Sequence, residues 1–248
     1  MPLVESEAII LHTRAFGEAH RLVSFLSRGR GRMRGLAAHA RRSRRRFGAG
    51  LEPLSHVRLW FFERGHHELV RLSEMELIES FWDARGELER TAALNQMVEL
   101  CETLLPEREP AEKAFRLLLA SLGALKGSDS PWLALSYFQL WSLCLAGWLP
   151  AIDRCSRCQR PLAGGPAYSS PARGELACSK CRRPGMRSLS GRTRTAALKM
   201  LANPLSKLSA EPWGAAEAAE LGGYVLDLIE YHTEHKLVTR EILSYEKT

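Results

Sequence analysis

Two C-x2-C pairs, Cys155/Cys158 and Cys178/Cys181, restrict this chain more than any other feature, with nineteen residues between Cys158 and Cys178. Two tight turns that each present two thiolates supply a tetrahedral set of four, the arrangement Zn²⁺ takes in structural sites. A pair of disulfides or a redox C-x-x-C would use the same residues, but the doubled spacing favours a metal. No other cysteine or histidine adjoins the cluster, so the site is closed. A closed site staples a fold, because catalysis needs an open coordination position for water. The expectation is one structural Zn²⁺ on Cys155, Cys158, Cys178 and Cys181.

The surroundings of the cysteines are basic. Residues 151–194 carry ten Lys/Arg against Asp153 and Glu175 alone. The charge changes sign in blocks along the chain: +5 over 1–80, −3 over 81–150, +8 over 151–194 and −3 over 195–248. The total is +7, with pI ≈ 9.3. Such a balance favours an acidic partner such as nucleic acid, met by the basic blocks and not by the acidic ones.

At 248 residues the chain can bury real cores in one large or two smaller domains. The N-terminal Met1-Pro2-Leu3-Val4-Glu5-Ser6-Glu7 has acids where a signal peptide has a basic stretch and an apolar run. Cys101 and Cys144 lie in apolar sequence and read as buried free thiols, which fits a reducing cytoplasm. The apolar run Trp132–Leu149 approaches the length of a membrane span. Ser136, Gln139 and Ser142 interrupt it at helical spacing, so a core helix is expected, capped by Ser130, begun by Pro131 and ended at Gly147 and Pro150.

Residues 1–80 read as short strands: 7–16, 20–26, 32–39, 54–63 and 68–77, separated by Gly17, Gly29/Gly31 and Gly65. Five strands in so short a stretch suit a small closed barrel. From Gly86 the apolar period becomes helical. Leu94, Val98, Cys101 and Leu105 form one stripe, Phe115, Leu118, Leu122 and Leu125 a second, and Leu221, Val225 and Leu228 a third, all read as core.

Between Glu18 and Glu52 there is no acid, while Arg32, Arg34 and the run Arg41-Arg42-Ser43-Arg44-Arg45-Arg46 are all present. Five guanidinium groups in six residues repel one another unless anions sit among them. Arginine also binds phosphate bidentately. Phe47 follows directly, where a base could stack beside held phosphates. The candidate DNA-binding residues are therefore Arg32, Arg34, Arg41, Arg42, Arg44, Arg45, Arg46 and Phe47. Catalytic signals are poor. His66-His67-Glu68 has no matching carboxylate motif, and His232-Thr233-Glu234-His235 is not H-E-x-x-H. No P-loop and no G-x-S-x-G occurs, and the absence of an NTP site weighs against a motor or ligase.

Several segments together resemble the RecO family of bacterial recombination mediators. These are Arg41-Arg42-Ser43-Arg44 running into Arg46-Phe47-Gly48, then Leu51-Glu52-Pro53-Leu54. Phe138-Gln139-Leu140 with Gly147-Trp148-Leu149-Pro150 comes before the first knuckle. Tyr231-His232 and Lys236-Leu237-Val238-Thr239-Arg240-Glu241-Ile242-Leu243 close the chain. The resemblance runs nearly full length, in order. It implies an α+β protein: an N-terminal five-stranded OB-fold barrel over 1–80, then an all-helical domain over 81–248 with an embedded four-cysteine zinc motif at about 151–188. It further implies a non-enzymatic cytoplasmic, nucleoid-associated protein that binds single- and double-stranded DNA and anneals complementary strands. The implied partners are RecR and the acidic C-terminal tail of single-strand-binding protein (SSB), with a functional link to RecA loading. Gln139 replaces a glutamate common in relatives, basic residues for the SSB tail are not evident in 131–149, and Val238-Thr239-Arg240 replaces Lys-Ser-Arg. Any tail binding is therefore expected to be weak or to recruit arginines from elsewhere, such as Arg116. The alternative reading is a zinc-ribbon RNA-binding or transcription factor. A zinc-dependent hydrolase would need an exchangeable water that a site of four cysteines does not offer.

Overall fold

Alternation along the first strands already separates an inside from an outside. A computed structural model describes residues 2–42, 46–63, 68–81, 86, 88–128, 130–170, 174–208 and 213–244. Five strands, β1 (Leu3–Phe16), β2 (His20–Ser27), β3 (Gly31–Ala37), β4 (His56–Phe62) and β5 (Leu69–Glu79), close into a barrel in the order β1-β2-β3-β5-β4. All neighbours are antiparallel except β3 and β5, which pair in parallel from Arg34↔Leu69 to Ala37↔Leu72. This is the OB-fold barrel expected for the N-terminal region. Its interior is filled by Ala8, Ile10, Val23, Phe25, Met33, Val57, Leu59, Phe61, Val70 and Leu72 among others. On β3, Gly31, Met33 and Gly35 are buried while Arg32 and Arg34 between them are half-exposed, the period of two that a pleated strand imposes.

Strand β1 breaks the alternation, and the reason lies outside the barrel. Ala8 and Ile10 point into the barrel core, whereas Ile9 and Leu11 belong to a second apolar cluster that includes Leu26, Leu54 and the helices. The continuous run Ala8-Ile9-Ile10-Leu11 is therefore buried on both faces. Helices α1 (Leu88–Leu104), α2 (Glu112–Lys126) and α3 (Trp132–Leu145) follow the barrel, and α4 (Gly191–Ala202), α5 (Ala215–Thr233) and α6 (Val238–Ser244) complete the body. The three apolar stripes expected from the sequence supply its core. Leu94, Phe115, Leu118, Leu122, Leu125, Leu221, Val225 and Leu228 are all fully or nearly fully buried.

Helix α3 is central and begins as expected, with the Ser130 Oγ accepting from the Trp132 N–H at 3.4 Å and Gly147 in the left-handed region at φ +76° just past its end. No helix among the described residues is long and apolar enough to cross a membrane. Cys101 is buried, but Cys144 is only half-buried, because it lies on the flank of α3 and not on its core stripe.

Candidate metal centre and basic surface

Between α3 and α4 the chain leaves the helical body and forms a small lobe. Strands β6 (Ala167–Ser170), β7 (Glu175–Ala177) and β8 (Arg187–Leu189) make a three-stranded sheet ordered β7-β6-β8. The first knuckle is a tight turn in which the Gln159 N–H donates to the Cys155 carbonyl at 2.9 Å and the Cys155 N–H to the Arg160 carbonyl at 2.9 Å. Ser156 ties this knuckle to β7: its N–H donates to the Leu176 carbonyl at 2.8 Å, and its Oγ accepts from the Leu176 N–H at 3.0 Å. The second knuckle closes through Cys181 N–H to the Cys178 carbonyl at 3.0 Å.

This arrangement brings all four sulfurs within 4.8 Å of one another. The Cys158 and Cys178 sulfurs are 3.8 Å apart. Zn–S bonds of about 2.3 Å give a tetrahedron with S···S edges of about 3.8 Å, so the four thiols fit such a metal. The local electrostatics also suit ligation. Burial alone would raise the Cys155 thiol, but the backbone N–H groups of Cys158, Cys178 and Arg157 outweigh it and bring the group down to about 6. Cys181 is pushed up to about 12 by hydrogen bonds shared with the Cys158 and Cys178 sulfurs, as fits four crowded thiols that ionise together only around a cation. By contrast, burial raises Cys101 to about 12, which keeps that thiol protonated and out of metal chemistry.

The lobe is fastened to the body by an arginine. Arg194, on the first turn of α4, is 2% exposed and donates to the carbonyls of Ile152 at 3.4 Å, Ala163 at 2.7 Å and Gly165 at 3.0 Å. Its neighbours are paired as well: Arg154 with Asp153, Arg157 with Glu175, Arg187 with Asp227 and Arg192 with Glu217. Five of the ten basic side chains of residues 151–194 are thus held by acids or carbonyls. Arg182 lies over the Tyr168 ring at 4.5 Å. Arg32 and Arg34, candidates for DNA contact from the sequence, meet a similar fate on the barrel. Arg32 Nε donates to the Leu105 carbonyl at 2.8 Å, and its guanidinium pairs with Glu107 at 3.2 Å. Arg34 pairs with the same Glu107 at 2.9 Å and with Glu68 at 3.5 Å.

Phe47 corrects the expectation of a stacking platform. It is 2% exposed and packs inside the barrel with Leu51, Val57 and Met75, so no ring face is open to a base. An aromatic ring next to a charged run gains more from burial than it would from solvent. Arg46 sits over that ring at 5.0 Å and donates to the Ala38 carbonyl, while its own carbonyl accepts from the Met75 N–H at 3.0 Å. Arg41 and Arg42 are exposed. Their turn is seated on the β1–β2 connection: the Arg41 N–H donates to the Ala19 carbonyl at 3.1 Å and its guanidinium to the Gly17 carbonyl at 3.2 Å. The His39 N–H donates to the His20 Nδ1 at 3.1 Å beside it. Arg44 and Arg45, like His66 and His67, lie outside the described residues.

Sequence reasoning missed Glu107 and Arg194. Both face backbone or side-chain partners far away in sequence, and no local pattern marks them. Arg116, named from the sequence for tail binding, lines a groove of about 1100 Å³ bounded by α2, α3 and the turn after Pro204, together with Lys113, Leu133, Tyr137 and Trp141.

Comparison with known proteins bears on both regions. The family described as Recombination protein O N terminal matches residues 1–81, and that described as Recombination protein O C terminal matches residues 85–241. A protein of Koribacter versatilis described as DNA repair protein RecO is 38% identical over 241 residues, 97% of this chain and 98% of its own length. One from Anaeromyxobacter dehalogenans (strain 2CP-C) with the same description is 32% identical over 246 residues, 98% of this chain and 96% of its own. One from a Nocardioides species is 34% identical over 239 residues, 95% and 96% of the two chains. Matched from the barrel through the cysteine lobe to α6, the chain belongs to the recombination protein O family of DNA repair proteins.

Proposed function

We propose that this protein is a non-enzymatic DNA-binding mediator that anneals complementary strands and helps load recombinase onto SSB-coated single-stranded DNA. The observation that carries the reading is the basic turn of Arg41 and Arg42 docked on the β1–β2 connection, one of the loops through which OB-folds engage oligonucleotides. Two phosphate backbones repel each other, and a cationic surface that neutralises several phosphates lets complementary strands approach. Arg41, Arg42, Arg44, Arg45 and Arg46 are the proposed contacts on single- and double-stranded DNA. Arg34, part-exposed and already paired, is secondary, and Arg32 is assigned to the fold.

In the same reading Cys155, Cys158, Cys178 and Cys181 hold one Zn²⁺. Bound there, zinc supplies no chemistry to DNA and locks the two knuckles that the β6–β8 sheet alone leaves loosely joined. The groove rimmed by Lys113 and Arg116 suits an acidic peptide with an apolar end, so it is the proposed seat of the SSB tail. RecR and RecA complete the proposed partners, and the nucleoid the proposed location. Annealing of two complementary oligonucleotides, bare and SSB-coated, in the absence of any nucleoside triphosphate, tests the reading. Wild type should accelerate both reactions, and the five-fold alanine variant of the basic turn should accelerate neither. No acceleration by the wild type on either substrate would sink it.

A further inference from the structure

A cleft of about 320 Å³ between α1, α3 and α5 ends on two glutamines that the DNA-binding reading does not use. Gln96 and Gln139 are 0% and 3% exposed, and Gln139 Nε2 donates to Gln96 Oε1. That one bond leaves Gln96 Nε2 without an acceptor and Gln139 Oε1 without a donor among the described residues, although both side chains line the cleft. A buried donor beside a buried acceptor, each without a partner, destabilises the fold by the desolvation of both groups. Such a pair is retained at a loss unless something completes it.

The complement of one donor and one acceptor in the same cleft is a primary carboxamide, as on an Asn or Gln side chain, which offers a C=O and an N–H on one edge. The walls agree. Ala218, Ala219, Gly222 and Gly223 of α5 make one side of the cleft, low enough for a backbone or a flat group to approach closely. A Cβ on Gly222 would stand 3.2 Å from Gln139 Oε1, so any side chain there would press on that buried oxygen. The mouth argues against a polyanion. Arg187 and Arg240 are there, but both pair with Asp227, and Arg240 also pairs with Glu230. Glu89 adds a third carboxylate to the rim. With guanidinium charge already matched by acid, the cleft selects a neutral occupant over a phosphate chain.

We propose that this cleft is a binding site for the side-chain carboxamide of an Asn or Gln in an uncharged segment of a partner protein, its C=O accepting from Gln96 and its N–H donating to Gln139. It lies apart from the basic turn and from the groove at Lys113 and Arg116, and its test does not depend on DNA.

The protein labelled with ¹⁵N at glutamine side chains would be titrated with N-acetylglycinamide, a minimal uncharged peptide, while the Gln96 and Gln139 NH2 resonances are followed. Saturable shifts confined to these two signals are expected, weak in affinity because the probe is small. Gly222→Ala should abolish them and leave the fold intact, since alanine suits a helix better than glycine. The double variant Gln96→Leu/Gln139→Leu should melt at or above the wild-type temperature, because two unpaired polar groups are removed together. Absence of saturable shifts, or shifts unchanged in Gly222→Ala, would overturn the proposal. So would a lower melting temperature of the double variant, which would mark the pair as completed internally by ordered water. An oligonucleotide that moved the same resonances in place of the peptide would also overturn it.

Discussion

Arg32 reaches from β3 across to the segment after α1, where its Nε meets the Leu105 carbonyl at 2.8 Å and its guanidinium meets Glu107. The Arg108 N–H reciprocates by donating to the Arg32 carbonyl at 2.8 Å. Removing this side chain strips a charge-assisted hydrogen bond from a half-buried junction, which costs about 1.5–3 kcal/mol. Arg32→Ala is therefore expected to lower the melting temperature and to leave the salt dependence of DNA binding unchanged. A flattened salt slope with unaltered melting would instead put Arg32 on the DNA. Next to it, Gly31 has φ +72°, and an added Cβ would lie 1.7 Å from the Glu109 carbonyl oxygen. The left-handed conformation alone costs a non-glycine residue about 1–2 kcal/mol, so Gly31→Ala should destabilise the same junction further than that, as a denaturation curve would show.

The cysteine lobe is fastened through Arg194 and, with Zn²⁺ held as proposed, through the metal as well. Thiolates from two knuckles converge on one point, while Arg194 gathers three carbonyls at the base of the lobe. Cys178→Ser should reduce the metal content of the purified protein from about one equivalent to near zero, because three thiolates bind a structural Zn²⁺ far more weakly than four. Limited proteolysis should then cut within 151–188 before it cuts α1, α2 and α3, with which Ile152, Leu162, Leu176 and Leu189 of the lobe share one apolar cluster. Retention of a full equivalent of metal by the variant would assign the cysteines another role. Helix α6 is fastened by a similar economy of parts: the Val238 and Thr239 N–H groups donate to Glu99 on α1, and Arg240 pairs with Asp227 and Glu230 on α5. Arg240 thus acts as a strut.

At the scale of the whole molecule, the blocks of opposite charge sort into surfaces with different work. The basic turn on the barrel is proposed to meet phosphates. Each phosphate-bound arginine removed from it should flatten the slope of log K against log salt by about 0.7 on single strands and about 0.9 on duplex. Replacing Arg41, Arg42, Arg44 and Arg45 by alanine should therefore weaken binding to any sequence alike, with melting nearly unchanged. Adding Arg46→Ala, which removes the bond to the Ala38 carbonyl and the contact over Phe47, should lower melting as well. The groove at α2 and α3 carries its own expectation. Calorimetry with an SSB-tail peptide should show binding that weakens when Arg116→Ala removes a rim cation, and tight binding unchanged by that substitution would show that the tail sits elsewhere. Barrel and helical body also share an apolar boundary. Ile9, Leu11, Leu26 and Leu54 from the barrel pack into the cluster of the helices. We therefore propose a division into residues 1–80 and 81–248 that follows the architecture, with a buried seam between the two parts.

The sequence by itself determined the barrel, the helical stripes and the four-cysteine cluster, because each is written in a local period or spacing: two for strands, 3.6 for helices, and paired knuckles for a tetrahedral set of thiols. Only the tertiary structure decided which charges are free. Arg41 and Arg42 remain at the surface, whereas Arg32, Arg34, Arg187 and Arg194 are held by Glu107, Glu68, Asp227 and backbone carbonyls from distant segments. Phe47 is buried for the same kind of reason, since the barrel interior that receives it is built by strands on either side of its turn. A side chain's partner across space leaves no periodic trace in sequence, and whether an arginine serves the fold or a ligand depends on that partner alone.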